Sequence, residues 1–177
     1  MHPGARVPGE RESPLGTTQQ RFMRRGITKI YFLKTIADAG NVPIRTELTG
    51  TNATDLSGAI SDIAGWSLAN SPVDTPDLGS TLTTSIPGED KADSSTLTFY
   101  EDQTAETIET LLSKGAQGFV AILRKGDVPA SKSMDVFPVR VAGRAPAYST
   151  GSDPAKFAVT FAISGKPTLD AAVPAAS

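Results

Sequence analysis

One stretch of this chain, Ala105 to Lys114, spaces its apolar residues for a helix, while nearly every other patterned stretch alternates apolar with polar. Alternation puts successive side chains on opposite faces of a strand, so a chain ruled by it must bury sheet faces. In the exceptional stretch Ala105, Ile108, Leu111 and Leu112 share one helical face, and Glu106, Glu109 and Ser113 point away. Asp102 and Thr104 are candidate N-caps, Lys114 suits the negative end of the dipole, and Gly115 supplies a left-handed stop. The spacing predicts one α-helix at about 103–114, set between a strand at Thr96–Tyr100 and an apolar strand at Phe119–Leu123, with Lys125-Gly126-Asp127 as a turn.

The remaining pattern reads as strand. Ile27–Ile36 is β-branched and aromatic, and Asp38–Asn41 is a turn. Val42, Ile44, Thr46 and Leu48 alternate with Pro43, Arg45, Glu47 and Thr49, which predicts a strand with one apolar face. Gly50–Asp62 reads as a loop with at most a helical turn, and Ile63–Ser71 as a strand around the core residue Trp66. Leu78–Ile86 alternates again before the turn Pro87–Asp90. Met134–Val141 and Lys156–Ile163 are the last strands, the latter with Phe157, Val159, Phe161 and Ile163 on one face and Ala158, Thr160 and Ala162 on the other. Residues 165–177 show no pattern. The expected fold is mainly β: two packed antiparallel β-sheets, as a sandwich or barrel, with one flanking helix. Trp66, Phe99, Ile108, Leu111, Phe119, Val139, Phe157 and Phe161 are the expected core.

Three segments follow: an extension or arm at 1–26, a β domain at 27–164 and a C-terminal arm at 165–177. Residues 1–22 have the composition of a disordered segment. Met23-Arg24-Arg25-Gly26, directly before a strand, resembles a natural protein start, so Met23 as initiator is one expectation and a flexible basic arm the other. The net charge of −2 divides into +3 over residues 1–26 and −5 over the body. Residues 89–109 hold seven acids and one base, Lys91, which speaks against gripping nucleic acid by counterion release.

Catalytic chemistry finds little to work with. Cysteine is absent and the sole histidine is His2, so thiol nucleophiles, thiolate metal sites and the usual general base are missing from the body. No phosphate-binding glycine loop, nucleophile elbow or zinc-protease motif occurs. The paired acids Glu101-Asp102 and Glu89-Asp90-Asp93 lack the sugar-binding aromatics of a glycosidase and the spacing of an EF-hand. No enzyme, cofactor or metal is expected, and no apolar run is long enough to span a membrane. Asn52-Ala53-Thr54 matches a glycosylation sequon, but residues 1–26 carry no apolar signal segment to give it a secretory context.

The runs TPDLGSTLTTSIPGED (75–90), STLTFYEDQTAETIETLLSKGAQGFVAILRKGD (95–127), MDVFPVRVAG (134–143) and KFAVTFAISGKP (156–167) resemble the major tail tube proteins of long-tailed bacteriophages, nearest to siphophages of actinobacteria. The likeness spans roughly residues 24–170 and is one of overall pattern. It implies two packed sheets with one helix, the tube fold shared with type VI secretion. It also implies hexameric rings stacked around a tape-measure protein, with tail tip and terminator partners. The tube would be assembled in the host cytoplasm, and DNA would pass without sequence-specific binding. If each of six subunits gave about four strands, roughly 24 strands tilted by about 40° would enclose a backbone diameter of about 45–50 Å.

Within that resemblance, Arg45, Glu47, Thr81, Thr83 and Ser85 are candidates for lumen-facing or inter-subunit positions. Asn52, Asp55, Glu89, Asp90 and Asp93 are candidates for ring-to-ring loops. The alternatives are the inner tube of a contractile tail or secretion system, and an Ig-like capsid-decoration or adhesion module.

Overall fold

The computed structural model describes residues 20–175. In chain order these form β1 (Lys29–Leu33), α1 (Arg45–Thr49), β2 (Ala53–Asp55), β3 (Ile60–Ala64), β4 (Leu68–Asn70), β5 (Val73–Thr75), β6 (Thr84–Ile86) and β7 (Asp90–Ala92). Then follow β8 (Ser95–Tyr100), α2 (Thr107–Leu111), β9 (Gln117–Leu123), β10 (Lys132–Ala147), β11 (Lys156–Ile163) and β12 (Thr168–Ala172). Residues 1–19, including most of the expected N-terminal extension and His2, lie outside the described residues, as do 176–177.

The expectation of a mainly β, antiparallel fold with a flanking helix holds. Its layers come from one continuous eight-stranded sheet, ordered β2-β1-β9-β10-β11-β8-β3 with β12 added to β10, and from two two-stranded ribbons, β4-β7 and β5-β6; it does not close as a barrel. The 16-residue β10 organises it. One edge of β10 pairs with β9 through Met134–Arg140; the other carries β12 over its first residues and β11 from Val139 to Ala147. A bulge between Val141 and Gly143 re-aims the second half.

Alternation decides which side chains meet. Ile30 and Phe32 of β1, Leu97 and Phe99 of β8, Phe137 and Val139 of β10, and Phe157 and Phe161 of β11 join one buried cluster. Strands four places apart in the sheet reach one cluster only because the twisted sheet bends around it. Leu56 and Leu112 complete the cluster, and the Trp66 ring lies at its rim, 5.3 Å from Phe137 and 5.5 Å from Phe161 between centroids. The opposite face of β1, β9 and the start of β10 holds Leu33, Ala121, Leu123, Met134 and Val136, covered by Leu48 of α1 and by Val173. Apolar residues on both faces explain why β9 reads as a continuous apolar run.

Five local expectations are corrected. Within the strand expected from Val42 to Thr49, Arg45–Thr49 form α1 instead: the Glu47 carboxylate accepts from the Ile44 N–H at 2.9 Å and the Ala37 N–H at 2.8 Å, fixing a turn that buries Leu48 alone. The supposed loop 50–62 contains β2 and most of β3, short edge strands with too few apolar residues to signal themselves. Residues 78–86 are strand only at Thr84–Ile86, because neither face of the alternation finds a partner layer. The helix at 103–114 shrinks to Thr107–Leu111. Asp102 accepts the Thr104 N–H and hydroxyl, both at 2.8 Å, which makes a local turn where the helix would start. The patternless stretch 165–177 contributes β12 and the buried Val173. Of the expected core, Phe99, Val139, Phe157 and Phe161 are buried, while Trp66, Ile108, Leu111 and Phe119 are half-buried at the rims.

Candidate assembly interface

Two surfaces stand out. The first is a wall made by β3, β8, β11 and the second half of β10. Its inner side chains enter the core; its outer face presents Thr96, Thr98, Ala158, Thr160, Ala162 and Arg140, all partly or fully exposed. Such small and hydroxyl side chains leave a flat face of low charge. Lys156, at one end, rests its ammonium 5.4 Å from the centre of the Tyr100 ring. Among the described residues the wall has two free edges: β3 pairs only with β8, and Gly143–Ala147 of β10 pairs only with β11. Unpaired strand edges of this kind are templates for a further strand.

The second surface is an arm. After β3 the chain turns through Gly65 at φ +80° and Trp66 at φ +65°, then returns to the sheet at Ser95. A positive φ is costly for Trp, and it is held by the Trp66 N–H donating to the buried Ser95 Oγ at 3.0 Å and the indole N–H donating to Thr96 O at 3.3 Å. Beyond this point the ribbons β4-β7 and β5-β6 run outward. Asn70 donates to Gly88 O at 3.0 Å and to Asp90 Oδ1 at 2.7 Å, and Thr75 and Thr84 each donate a hydroxyl to the other's carbonyl, at 3.0 and 3.1 Å. Polar ladders thus replace a core. Leu78 is fully exposed, and Leu82, Ile86 and Val73 are more than half exposed.

The residues singled out from sequence divide between these regions and α1. Arg45 and Glu47 both lie on α1 with their side chains engaged internally. Arg45 pairs with Asp127 and also donates to Pro174 O and Ala175 O. Thr81, Thr83 and Ser85 are exposed on the arm, only Ser85 within a strand. Glu89, Asp90 and Asp93 sit on its returning limb, and the Glu89 carbonyl accepts from the Ser71 N–H at 2.9 Å. Asn52 is locked to Thr35 by hydrogen bonds in both directions, and Asp55 holds Lys29 at 3.7 Å in an exposed pair worth little. The structure therefore gathers Thr81, Thr83, Ser85, Glu89, Asp90 and Asp93 on one arm and leaves Asn52, Asp55, Arg45 and Glu47 elsewhere. Sequence reasoning did not select the wall residues Thr96, Thr98, Ala158 and Thr160; the signal available was an alternation whose second face is small instead of charged.

Two further arginine contacts pin the C-terminal segment. Arg124 pairs with Asp135 at 3.0 Å and with Asp170 on β12, and the Asp170 N–H donates to Asp135 at 2.9 Å. Among the described residues no cluster of acids or histidines has the arrangement of a metal site, and no helix is long and apolar enough to cross a membrane. Hydrogen bonds from Thr104 hold the exposed Asp102 carboxyl below its ordinary range.

A family model described as phage tail tube protein matches residues 16–176. This chain belongs to the phage tail tube protein family. A tail tube protein is a structural component of the virion tail, which agrees with a surface rich in edges and arms and poor in catalytic groupings. No curated protein sequence matches the chain. Among solved structures, the tail tube protein is similar to a chain of the PVC extracellular contractile injection system sheath/tube terminator in its extended state. The two share 10% identity over 85% of this chain and 98% of that one, with a TM-score of 0.57. A chain of the six-fold symmetrised anti-feeding prophage baseplate gives 10% identity over 87% and 99%, with a TM-score of 0.55. The PVC sheath-tube complex gives 10% identity over 76% and 82%, with a TM-score of 0.52. At such identity the likeness speaks for a shared fold.

Proposed function

We propose that this tail tube protein closes into hexameric rings that stack around a tape-measure protein and form the conduit for DNA ejection. The observation that carries the reading is the uncovered four-strand wall with a free edge on each side. Joining β3 of one copy to the free edge of β10 in the next extends the sheet around a ring. Six copies of four strands give the roughly 24-strand, 45–50 Å backbone circle estimated above, room for a DNA duplex. The six-fold symmetrised baseplate that contains one structural neighbour supports the same number. The wall face then lines the lumen, and its small and hydroxyl residues outnumber Arg140 and Lys156, so DNA phosphates meet few binding groups as they pass. Much of the acidic charge lies elsewhere, on the arm and around α2.

In this reading the arm, with Thr81, Thr83, Ser85, Glu89, Asp90 and Asp93, reaches a neighbouring copy, and the Asn52 and Asp55 loop lies at ring-to-ring contacts. Arg45 and Glu47 act from α1, beside the second core. A tail terminator and a tail tip are the remaining partners, by analogy with the neighbours from a sheath/tube terminator and a baseplate. Assembly takes place in the host cytoplasm. The likeness of residues 75–90, 95–127, 134–143 and 156–167 to siphophage tubes supports a long non-contractile tail.

Negative-stain microscopy of concentrated protein tests this. The expected result is rings with six-fold symmetry or hollow tubes wide enough for a DNA duplex. Failure to polymerise even when seeded with tail tips and tape-measure protein would overturn it.

A further inference from the structure

The arm has exposed apolar residues at its tip and, up to Lys91 near its root, only acidic charge. From Trp66 to Asp90 the chain holds Asp74, Asp77, Glu89 and Asp90 and no Lys or Arg. Among the described residues none covers Leu78 at its end, and Leu82 is 70% exposed. A surface that receives them must be apolar at its floor and positive at its rim.

One cleft combines two arginines with three isoleucines. The sheet bends without closing, and a cavity of about 690 Å³ opens in the seam between the run entering β1 and the edge strand β3. Ile30, Ile60 and Ile63 line it, and Arg24 and Arg25 stand exposed at its mouth. Asp62 is the one carboxylate on its wall. The clefts around α2 are lined instead by Glu101, Asp102 and Glu109 and would repel the arm. A further hollow beside β4 and β7 carries Lys91 and Lys166, but Asp90 and Lys91 of the arm itself build it, and a groove beside α2 offers a single cation, Lys34, and a single large apolar residue, Leu111. The pairing of two guanidinium groups with an isoleucine floor favours the seam.

We propose that the seam cleft receives the arm tip of a second copy, with Leu78 on the isoleucines and Asp74 and Asp77 facing Arg24 and Arg25. The pairing rests on the self-assembly reading above and names the two surfaces that meet. It also explains why the arm keeps leucines at a tip that the other described residues leave exposed.

Charge exchange in the full chain tests it, with polymer yield read by sedimentation and microscopy. R24E/R25E and D74K/D77K each place like charges together and should raise the concentration needed for polymerisation by about tenfold or more. Mixed one to one, the two variants present each basic arm to an acidic cleft and each acidic arm to a basic one, so polymerisation should return. All four substitutions in one chain should restore it as well, which separates lost contact from lost folding. Because the protein has no cysteine, Leu78→Cys and Ile63→Cys on separate chains give a second measurement: oxidation of the mixed polymer should form a covalent dimer, since a disulfide needs Cβ atoms about 3.8 Å apart. Tubes from R24E/R25E at the wild-type concentration, or no recovery on mixing, overturn the pairing alone. A wild-type chain that never polymerises under seeding overturns the pairing together with the tube reading.

Discussion

The Arg45 guanidinium holds the Asp127 carboxylate in a two-pronged grip, Nη1 to Oδ2 at 2.6 Å and Nη2 to Oδ1 at 2.9 Å. The same side chain donates from Nε to Ala175 O at 3.1 Å and from Nη2 to Pro174 O. One residue thus ties α1, the turn after β9 and the end of β12 together over the second core. Arg45 is 12% exposed and Asp127 38%, so solvent weakens the pair without abolishing it. Arg45→Met keeps much of the packing and removes the donors; it should cost about 1–2 kcal/mol and release residues 170–175 to faster amide exchange. An unchanged urea midpoint with unchanged exchange would show that the C-terminal segment is held by Val173 and β12 alone.

Gly118 of β9 leaves no room for a side chain. An added Cβ would stand 2.5 Å from Phe32 Cζ and 2.6 Å from Leu33 O. Gly118→Ala should therefore destabilise the protein by about 2–3 kcal/mol through overpacking. Phe32→Leu in the same chain removes the ring contact and should recover part of that loss. Two additive penalties in thermal unfolding would refute the steric account.

Ser95 fixes the root of the arm. Its buried hydroxyl oxygen accepts from the Trp66 N–H, and Ser95→Ala leaves that donor without a partner, at a cost of about 1–3 kcal/mol. Trp66 is the only tryptophan and lies against Phe137 and Phe161, so its emission should shift to the red as it loosens. A loss of stability with no spectral change would mean that the arm root is held elsewhere.

How far the sequence exposes this fold depends on how much each element buries. β8, β9 and β11 are legible because each carries at least two large apolar residues at a strand's spacing. β11 was predicted at the bounds the structure gives. The strand expected at 42–48 had the same alternation, yet Glu47 hydrogen-bonds two N–H groups and turns it into a helix, a tertiary contact that no period records. Alternation at 78–86 was real but belongs to an arm, and pattern alone cannot tell a strand that faces a core from one that faces another molecule. The wall was missed for the opposite reason: Thr98, Ala158 and Thr160 carry no conspicuous chemistry, and only the pairing of β8 with β11 unites them.

Tyr31 should govern part of the alkaline stability. Burial, then the charges of Asp55 and Asp127, push its phenol above the ordinary value of 10.0, against a smaller opposing pull from Arg45. A raised folded value means that the folded protein keeps the proton more firmly than the unfolded chain. The contribution is then complete below pH 10 and disappears as pH rises through the folded value. Tyr31→Phe should flatten the fall in urea midpoint above pH 10 relative to wild type. Parallel curves for the two proteins would remove Tyr31 from the account.

If the face of β8 and β11 lines the tube, charge placed there should alter DNA passage and little else. Thr98 stands opposite Ala158 and Thr160 opposite Thr96, so the two threonines belong to adjacent strands of one face. The double variant T98K/T160K adds long side chains that extend into open space, and the isolated subunit should keep its stability within about 0.5 kcal/mol. In a six-membered ring it would add about a dozen positive charges to the bore, and each contact with a phosphate forms by displacing condensed counterions that must return before DNA can move on. Virions built from this variant should form tails of normal length and eject DNA more slowly, with the delay relieved as salt rises. T98E/T160E should not slow ejection in this way, because like charges do not hold the duplex. Equal ejection rates for the lysine and glutamate variants would place the face away from the passing DNA.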